Sequence, residues 1–174
     1  MPIQISELVT DAGAGAGSDI YLHVQTKRAG KVKGEVTVTG HTDDIQVRGW
    51  TWGAAAGSAL GSAQATARRT YKHLTVSKRI DSASTALLSA LATNDEVKEA
   101  KLTMCKAGGK ALDYYKLTLK GARVVNIEIT VGADGQPTEL VSFAFTKVEV
   151  EYTPQQRIGI GAGASTFADE LLPP

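Results

Sequence analysis

The chain has 174 residues, of which 43% are hydrophobic and 21% charged, and these values predict one globular domain with a sizeable core. Its 19 basic and 18 acidic residues give a net charge of +1, which excludes a strong general attraction to nucleic acid or to an anionic membrane. The sequence contains neither a recognisable signal peptide nor a run of roughly 18 apolar residues that would predict a membrane helix.

The N-terminal third predicts an arm followed by short strands. Residues 1–18 end in alternating Ala and Gly, which is typical of a flexible arm. Apolar residues then alternate with polar ones at positions 20, 22 and 24, and again at 45 and 47, which is the period of a half-buried strand. Trp50 and Trp52 follow on the opposite parity, so we predict a bend near Gly49.

The middle of the chain contains a long loop and the one predicted helix. Residues 53–70 are rich in Gly, Ala and Ser, and a loop of this length in a compact domain is usually functional or disordered. A strand is predicted over 71–80. Apolar positions at helical spacing then predict a helix over about 81–92, with Asp81 or Ser82 as its cap.

The last third returns to strands. Alternation predicts strands around 100–104, 112–119, 125–131 and 141–145, with turns at 107–110 and 132–137. The parity changes near Lys147 before a last strand at 148–152, which predicts a bent strand that serves two faces or two sheets. We therefore predict a mainly β domain over 19–155, as a sandwich or barrel, and a Gly-rich C-terminal tail over 156–174.

Few side chains are spaced for catalysis or metal binding, and we predict no catalytic residue, cofactor or metal. His23 and His73 fall on the polar faces of strands, and single Cys105 excludes an intramolecular disulfide or a site built from several cysteines. His41 lies near Asp43 and Asp44, which is either an acid–base pair or a polar turn, and the turn is favoured. Cys105 is interpreted as a structural thiol.

One basic group and two tryptophans are the remaining candidates for binding. The basic group consists of Arg68, Arg69, Lys72, Lys78 and Arg79. It would suit nucleic acid or an acidic protein surface, and the near-neutral chain favours protein. The two tryptophans would either stack a ligand or serve as packing and interface anchors, of which the second is commoner.

Several blocks of sequence, in order, resemble the haemolysin-coregulated protein (Hcp) family. The first are DIYL at 19–22, KGE at 33–35, GH at 40–41, I-x-V at 45–47 and WTWG at 50–53. They are followed by DSASTALL at 81–88, AKLTMCKAGGK at 100–110 and FAFTKVEVEYTPQ at 143–155. The helix lacks the proline that the family carries after the position of Ser84.

The resemblance implies a small antiparallel two-sheet β-barrel with one flanking helix. It also implies a non-enzymatic subunit of the type VI secretion tube, which forms hexameric rings that stack. The implied partners are further copies, a contractile sheath, a spike protein and small effectors, without membrane insertion. Such a subunit is made in the cytoplasm and is exported through the type VI machine without a signal peptide.

We expect ring contacts to involve the two tryptophans and the loop at 53–70. The candidate contact residues are Trp50, Trp52, Gly57, Arg68, Arg69 and Lys72. The alternative is a monomeric β-barrel that binds a small ligand or nucleic acid.

Overall fold

The computed structural model describes residues 18–57, 68–106, 112–154 and 163–171, in which twelve strands and one helix are found. The elements in chain order are β1 (Ser18–Thr26), β2 (Gly30–Lys31), β3 (Ile45–Val47), β4 (Gly49–Thr51), β5 (Ala54–Ala56), β6 (Arg69–Tyr71), β7 (Leu74–Lys78), α1 (Ser84–Ala92), β8 (Val97–Lys106), β9 (Asp113–Val131), β10 (Pro137–Ala144), β11 (Lys147–Tyr152) and β12 (Ser165–Glu170). The predicted mainly β chain with one helix is confirmed.

The strands form a network of ten antiparallel members and a separate pair, β5 with β6. Strand β1 pairs with β2, β3 and β8, and β8 pairs in turn with β9. The first half of β9 also pairs with β11, which carries β12 on its other edge. The second half of β9 pairs with β10, which is followed by β7 and β4. Two sheets are thus joined by one long strand.

A glycine marks the point where the 19-residue strand β9 passes from one sheet to the other. Gly121 has a φ of +53°, and a Cβ at this position would collide with Oγ1 of Thr146. The Thr146 hydroxyl donates a hydrogen bond of 3.2 Å to the Lys120 carbonyl, which fixes it there. Only glycine combines this backbone conformation with this close approach.

Both predicted parity changes coincide with a change of partner strand. The first separates β3, which pairs with β1, from β4, which pairs with β7. The second separates β10 from β11, which pair with the two different halves of β9. Both predicted bends are confirmed. The change of parity allows the two segments on either side of each bend to bury their apolar side chains in different sheets.

The core lies between the two sheets and under the helix. Its fully buried members include Leu22, Leu102, Leu117 and Phe143 from the strands. Helix α1 contributes Leu87 from its buried face. In strands such as β3 and β7 the apolar side chains point inward at every second position, as the sequence pattern predicted.

The helix begins later than predicted, at Ser84, and neither Asp81 nor Ser82 caps it. Instead the Asp81 carboxylate accepts a hydrogen bond of 3.0 Å from the Ala83 N–H. The Ser84 hydroxyl accepts another, also of 3.0 Å, from the Asp81 N–H. These two bonds close a turn before the helix, so the polar residues that resemble a cap belong to that turn.

Two segments contain more regular structure than the sequence indicated. Part of the predicted loop 53–70 forms the pair β5 and β6, and part of the predicted tail 156–174 forms β12. The predicted arm at 1–18 lies outside the described residues except for Ser18, which begins β1. The predicted turn at 107–110 also lies outside them, although β8 and β9 pair as expected on either side.

Candidate functional sites

The base of the β5–β6 hairpin is held by aromatic packing. The Trp52 and Tyr71 rings stack at a centroid distance of 5.7 Å and an interplanar angle of 6°. Phe145 packs against both of them at a tilt. Trp50 stacks on Tyr115 at 5.8 Å. Both candidate tryptophans therefore pack within their own chain.

The hairpin is also joined to the C-terminal strand β12 by charge. Arg69 forms a two-pronged contact with Asp169, in which Nη2 lies 2.9 Å from Oδ1 and Nε meets Oδ2. The Tyr71 hydroxyl donates to Oδ2 of the same carboxylate at 2.6 Å. The hydrogen bonds from Arg69 and Tyr71 lower the pKa of Asp169 to about 2. Arg69 is thus occupied within the chain by a partner one hundred positions away.

The predicted basic group is divided by the fold. Arg68, Lys72 and Arg79 are exposed, but Lys78 is fully buried and forms an ion pair with buried Glu139 at 2.9 Å. A lysine on the core face of β7 cannot contact a nucleic acid. The hairpin candidates Gly57, Arg68, Arg69 and Lys72 are all exposed, and of these Arg69 is already bound to Asp169.

A second cluster is built around Asp44, in the turn that follows β2. Its buried carboxylate contacts Lys31 Nζ at 3.0 Å, His41 Nδ1 at 3.1 Å and His23 Nδ1 at 3.2 Å. Gly34 lies so close to the Asp44 carbonyl that no Cβ could be placed there. Gly34 also donates its N–H to the Asp43 carbonyl at 2.9 Å, so the KGE block pairs with the turn that holds His41, Asp43 and Asp44.

Strands β8 and β9 complete this cluster from the other side. The Cys105 thiol donates to Asp113 Oδ1 at 2.8 Å, and the same oxygen lies 3.2 Å from His41 Nε2. The Cys105 sulfur is 3.6 Å from that nitrogen. The Tyr21 ring stacks on the imidazole at 4.5 Å. A thiol, an imidazole and two carboxylates therefore meet, although the sequence indicated only the His41–Asp44 part.

This arrangement has the residue types of a cysteine nucleophile but the wrong electrostatics. Burial, and then the hydrogen bond and charge of Asp113, raise the pKa of Cys105 to about 12. Burial alone would raise the pKa of Asp113, but the hydrogen bonds from Cys105 and His41 lower it. The thiol stays protonated at neutral pH, whereas a catalytic cysteine requires a lowered pKa. The interpretation of Cys105 as a structural thiol agrees with this geometry.

Asp113 and Asp169 are the residues that sequence reasoning missed. Asp113 lies 72 positions from its His41 partner, and Asp169 lies 98 positions from Tyr71. Neither is part of a local motif. His73 is exposed, as predicted, whereas His23 is half-buried against Asp44. No helix in the described part of the chain has the length and apolar character needed to cross a membrane.

Comparison with known proteins gives one consistent family. The profile of the type VI secretion system effector Hcp matches residues 21–152. Protein hcp1 of Pseudomonas aeruginosa is 32% identical over 141 residues, which cover 78% of this chain and 86% of the relative. The crystal structure of Hcp1 from Salmonella typhimurium has a TM-score of 0.73 at 25% identity, over 89% of this chain and 95% of that one. A structure described as a type six secretion system protein has a TM-score of 0.76 at 27% identity, over 88% and 96%.

Proposed function

The chain belongs to the Hcp family of type VI secretion system proteins, and from this premise we propose that it is the structural subunit of a secretion tube made of stacked hexameric rings. The observation that carries the proposal is the extent of the match. It covers residues 21–152, which include both sheets up to β11 and the helix.

An uncovered apolar surface supports association between copies. The core-facing row of β9 runs past the edge of the core: Ile127 packs on the core, but Ile129 is 50% exposed and Val131 is 61% exposed. Exposed apolar residues in a row on one sheet face are typical of a protein contact. In a ring of identical copies two different patches meet at every seam, and we propose that this row is one of them.

We infer that the two sheets close into a barrel through residues 45–51. Strand β3 pairs with β1 at one edge of the network, and β4 pairs with β7 at the other. Only Arg48 separates them, and its N–H donates to the Ser77 carbonyl at 2.8 Å. A closed barrel leaves few free strand edges, which suits a subunit that must associate only through chosen surfaces.

We propose that the β5–β6 hairpin contacts the next subunit or ring. Its base is fixed by Trp50, Trp52 and the contact of Arg69 with β12, as described above. Exposed Gly57 and Arg68 lie beyond that base, whereas exposed Lys72 lies at the base, where its N–H donates to the Gly53 carbonyl at 2.9 Å. All three are available to a neighbour. We infer that the sheath, the spike and small effectors are the further partners, and that the subunit leaves the cell through the type VI machine.

Matched isoleucine variants test ring formation. Ile129→Asp places a charge in the proposed seam, and Ile80→Asp places one at an equally exposed isoleucine elsewhere, at 49% against 50% exposure. Light scattering after size exclusion should give a hexamer for the native chain and for Ile80→Asp. We expect smaller species for Ile129→Asp. A native chain that stays at 18.3 kDa at high concentration would overturn the proposed function and favour a monomeric ligand-binding domain.

Charge reversals test the hairpin separately. The double variant Arg68→Glu with Lys72→Glu alters only exposed hairpin residues, and Arg79→Glu is its control at an exposed site outside the hairpin. Negative-stain images should show single rings without tubes for the double variant and tubes for the control. Normal tubes from the double variant would show that the hairpin's charges do not hold the rings together.

A further inference from the structure

We propose that His41, Cys105 and Asp113 form a binding site for one divalent transition-metal ion, with Zn²⁺ as the best-matched ion. Their donor atoms all lie within 4.8 Å of one another. A thiolate, an imidazole and a carboxylate are the three side-chain donors that Zn²⁺ accepts. The site is independent of the proposed tube assembly.

The distances between the donors are close to those of a tetrahedral zinc site. Zinc bonds to S, N and O ligands of normal length place the donors roughly 3.4–3.6 Å apart. His41 Nε2 lies 3.6 Å from Cys105 Sγ and 3.2 Å from Asp113 Oδ1. The Cys105 to Asp113 distance, at 2.8 Å, has to open most, and the His41 to Asp113 distance has to open slightly. That contact is bridged by the thiol proton, which a metal ion replaces and releases to solvent.

The surroundings already hold the imidazole as a metal ligand requires. His41 Nδ1 lies 3.1 Å from Asp44 Oδ2, so in the metal-bound form Nδ1 would carry the proton and donate to Asp44, and Nε2 would be left for the ion. A metal-bound histidine almost always donates its other ring N–H to a carboxylate or carbonyl, which fixes the ring and raises its basicity. Lys31 holds Asp44 at 3.0 Å, and the Tyr21 ring stacks on the imidazole. The Asp113 carboxylate, which comes from β9, is what distinguishes this cluster from a simple polar turn.

Access and charge also fit an ion. A surface cleft of about 360 Å³ is lined by His41, Asp44 and Asp113, so an ion has an entry path and a water has room as fourth ligand. The Cys105 side chain is buried, but the Asp113 side chain is 32% exposed to the cleft. Thiolate and carboxylate together neutralise a divalent ion. Three lysines, Lys31, Lys101 and Lys116, also line the cleft. Each has an acidic partner that offsets its charge, namely Asp44, Glu99 and Glu151 respectively.

Cobalt(II) is the probe, because its spectrum reports whether sulfur is a ligand. The untagged full chain is stripped with chelator, kept reduced with a phosphine and titrated with Co²⁺ and then with Zn²⁺. We expect one Co²⁺ per chain, a thiolate-to-cobalt charge-transfer band with the visible bands of tetrahedral cobalt, and loss of both when Zn²⁺ is added. A cobalt spectrum without the charge-transfer band, or the absence of binding, would overturn the proposal.

Variants show whether these three residues are the ligands. Cys105→Ser should abolish the charge-transfer band, and Asp113→Asn should weaken Zn²⁺ binding about tenfold or more. Asp43→Asn is the matched control, because Asp43 lies in the same turn at a φ of +63°, which asparagine tolerates. Far-UV circular dichroism checks that each variant is folded. If Cys105→Ser does not fold, the result for Asp113→Asn decides whether the proposal holds. Unchanged binding in both variants contradicts the assignment, and light scattering reads ring formation separately.

Discussion

Replacing Lys78 by methionine should destabilise the domain strongly, because it leaves charges buried without their partner. Lys78 and Glu139 are both fully buried, and Nζ lies 2.9 Å from Glu139 Oε2 and 2.8 Å from Asp81 Oδ1. The Ser84 hydroxyl donates to the same glutamate oxygen at 2.6 Å. This network ties β7 and β10 to the start of α1.

The expected loss follows from the asymmetry of buried ion pairs. Removing one partner of such a pair costs about 3–5 kcal/mol, since the other charge stays in the interior uncompensated. For a domain of this size that corresponds to a fall of roughly 6–20 °C in Tm. The double variant Lys78→Met with Glu139→Leu should recover much of the loss, because well-packed apolar residues often replace a buried pair at little cost. Asp81 keeps its bond to the Ala83 N–H in both variants.

Urea unfolding, followed by tryptophan fluorescence at one fixed subunit concentration, measures these differences. Lys116→Met is the control, because Lys116 and Glu151 are 3.7 Å apart with side chains 37% and 42% exposed. An exposed pair of this kind contributes below about 1 kcal/mol. If Lys78→Met costs no more than Lys116→Met, or if the double variant is less stable than Lys78→Met, the pair does not have the energetic role assigned to it.

Three further changes test the hairpin contact, the bend in β9 and the buried thiol. Arg69→Ala should speed amide hydrogen exchange in β12 without lowering global stability. Glu170→Gln, a control on the same strand, should leave the exchange rate of β12 unchanged. Equal exchange rates in the two variants would contradict the contact between Arg69 and Asp169. Gly121→Ala should cost more stability in urea than Gly135→Ala, by about 1 kcal/mol or more, because both have positive φ but only Gly121 faces a clash. The rate of iodoacetamide alkylation of Cys105 should be low at pH 8 and keep rising towards pH 12, because its pKa is raised to about 12 and the thiolate forms only as the pH approaches that value. A rate that levels off near pH 9 in the folded chain would refute this.

The sequence predicted those parts of the fold that depend on local periodicity. Alternation located the strands, and the parity change near Lys147 located the point where the chain leaves one sheet for the other. Strand β12 was not predicted from the sequence, because its six residues, STFADE, have little apolar alternation and all but Asp169 are exposed. It forms because the edge of β11 offers backbone partners and because Arg69 and Tyr71 anchor Asp169. Neither cause is visible in the segment itself.

The candidate sites were harder to predict, because their members come from distant parts of the chain. His41 and Asp44 are three positions apart and were identified as a pair, but Cys105 and Asp113 join them through the register between β8 and β9. Lys78 was assigned to a surface patch because its neighbour Arg79 is also basic. In a strand, however, neighbouring residues point to opposite faces, and only Arg79 is exposed.

A ring subunit needs contact surfaces held at a fixed angle, and the fold provides two devices that fix it. A ring closes only if the two different patches that meet at each seam keep a constant relation within every copy. Strand β9 connects the sheets without interruption, and the Gly121 bend, locked by Thr146, sets the angle between its halves. The buried network of Lys78 and Glu139 fixes the helix against the second sheet. Apolar residues often stabilise a domain as well as a buried ion pair does. We therefore infer that the buried polar network serves to define the position of the helix against the second sheet, which repeated assembly of identical copies requires.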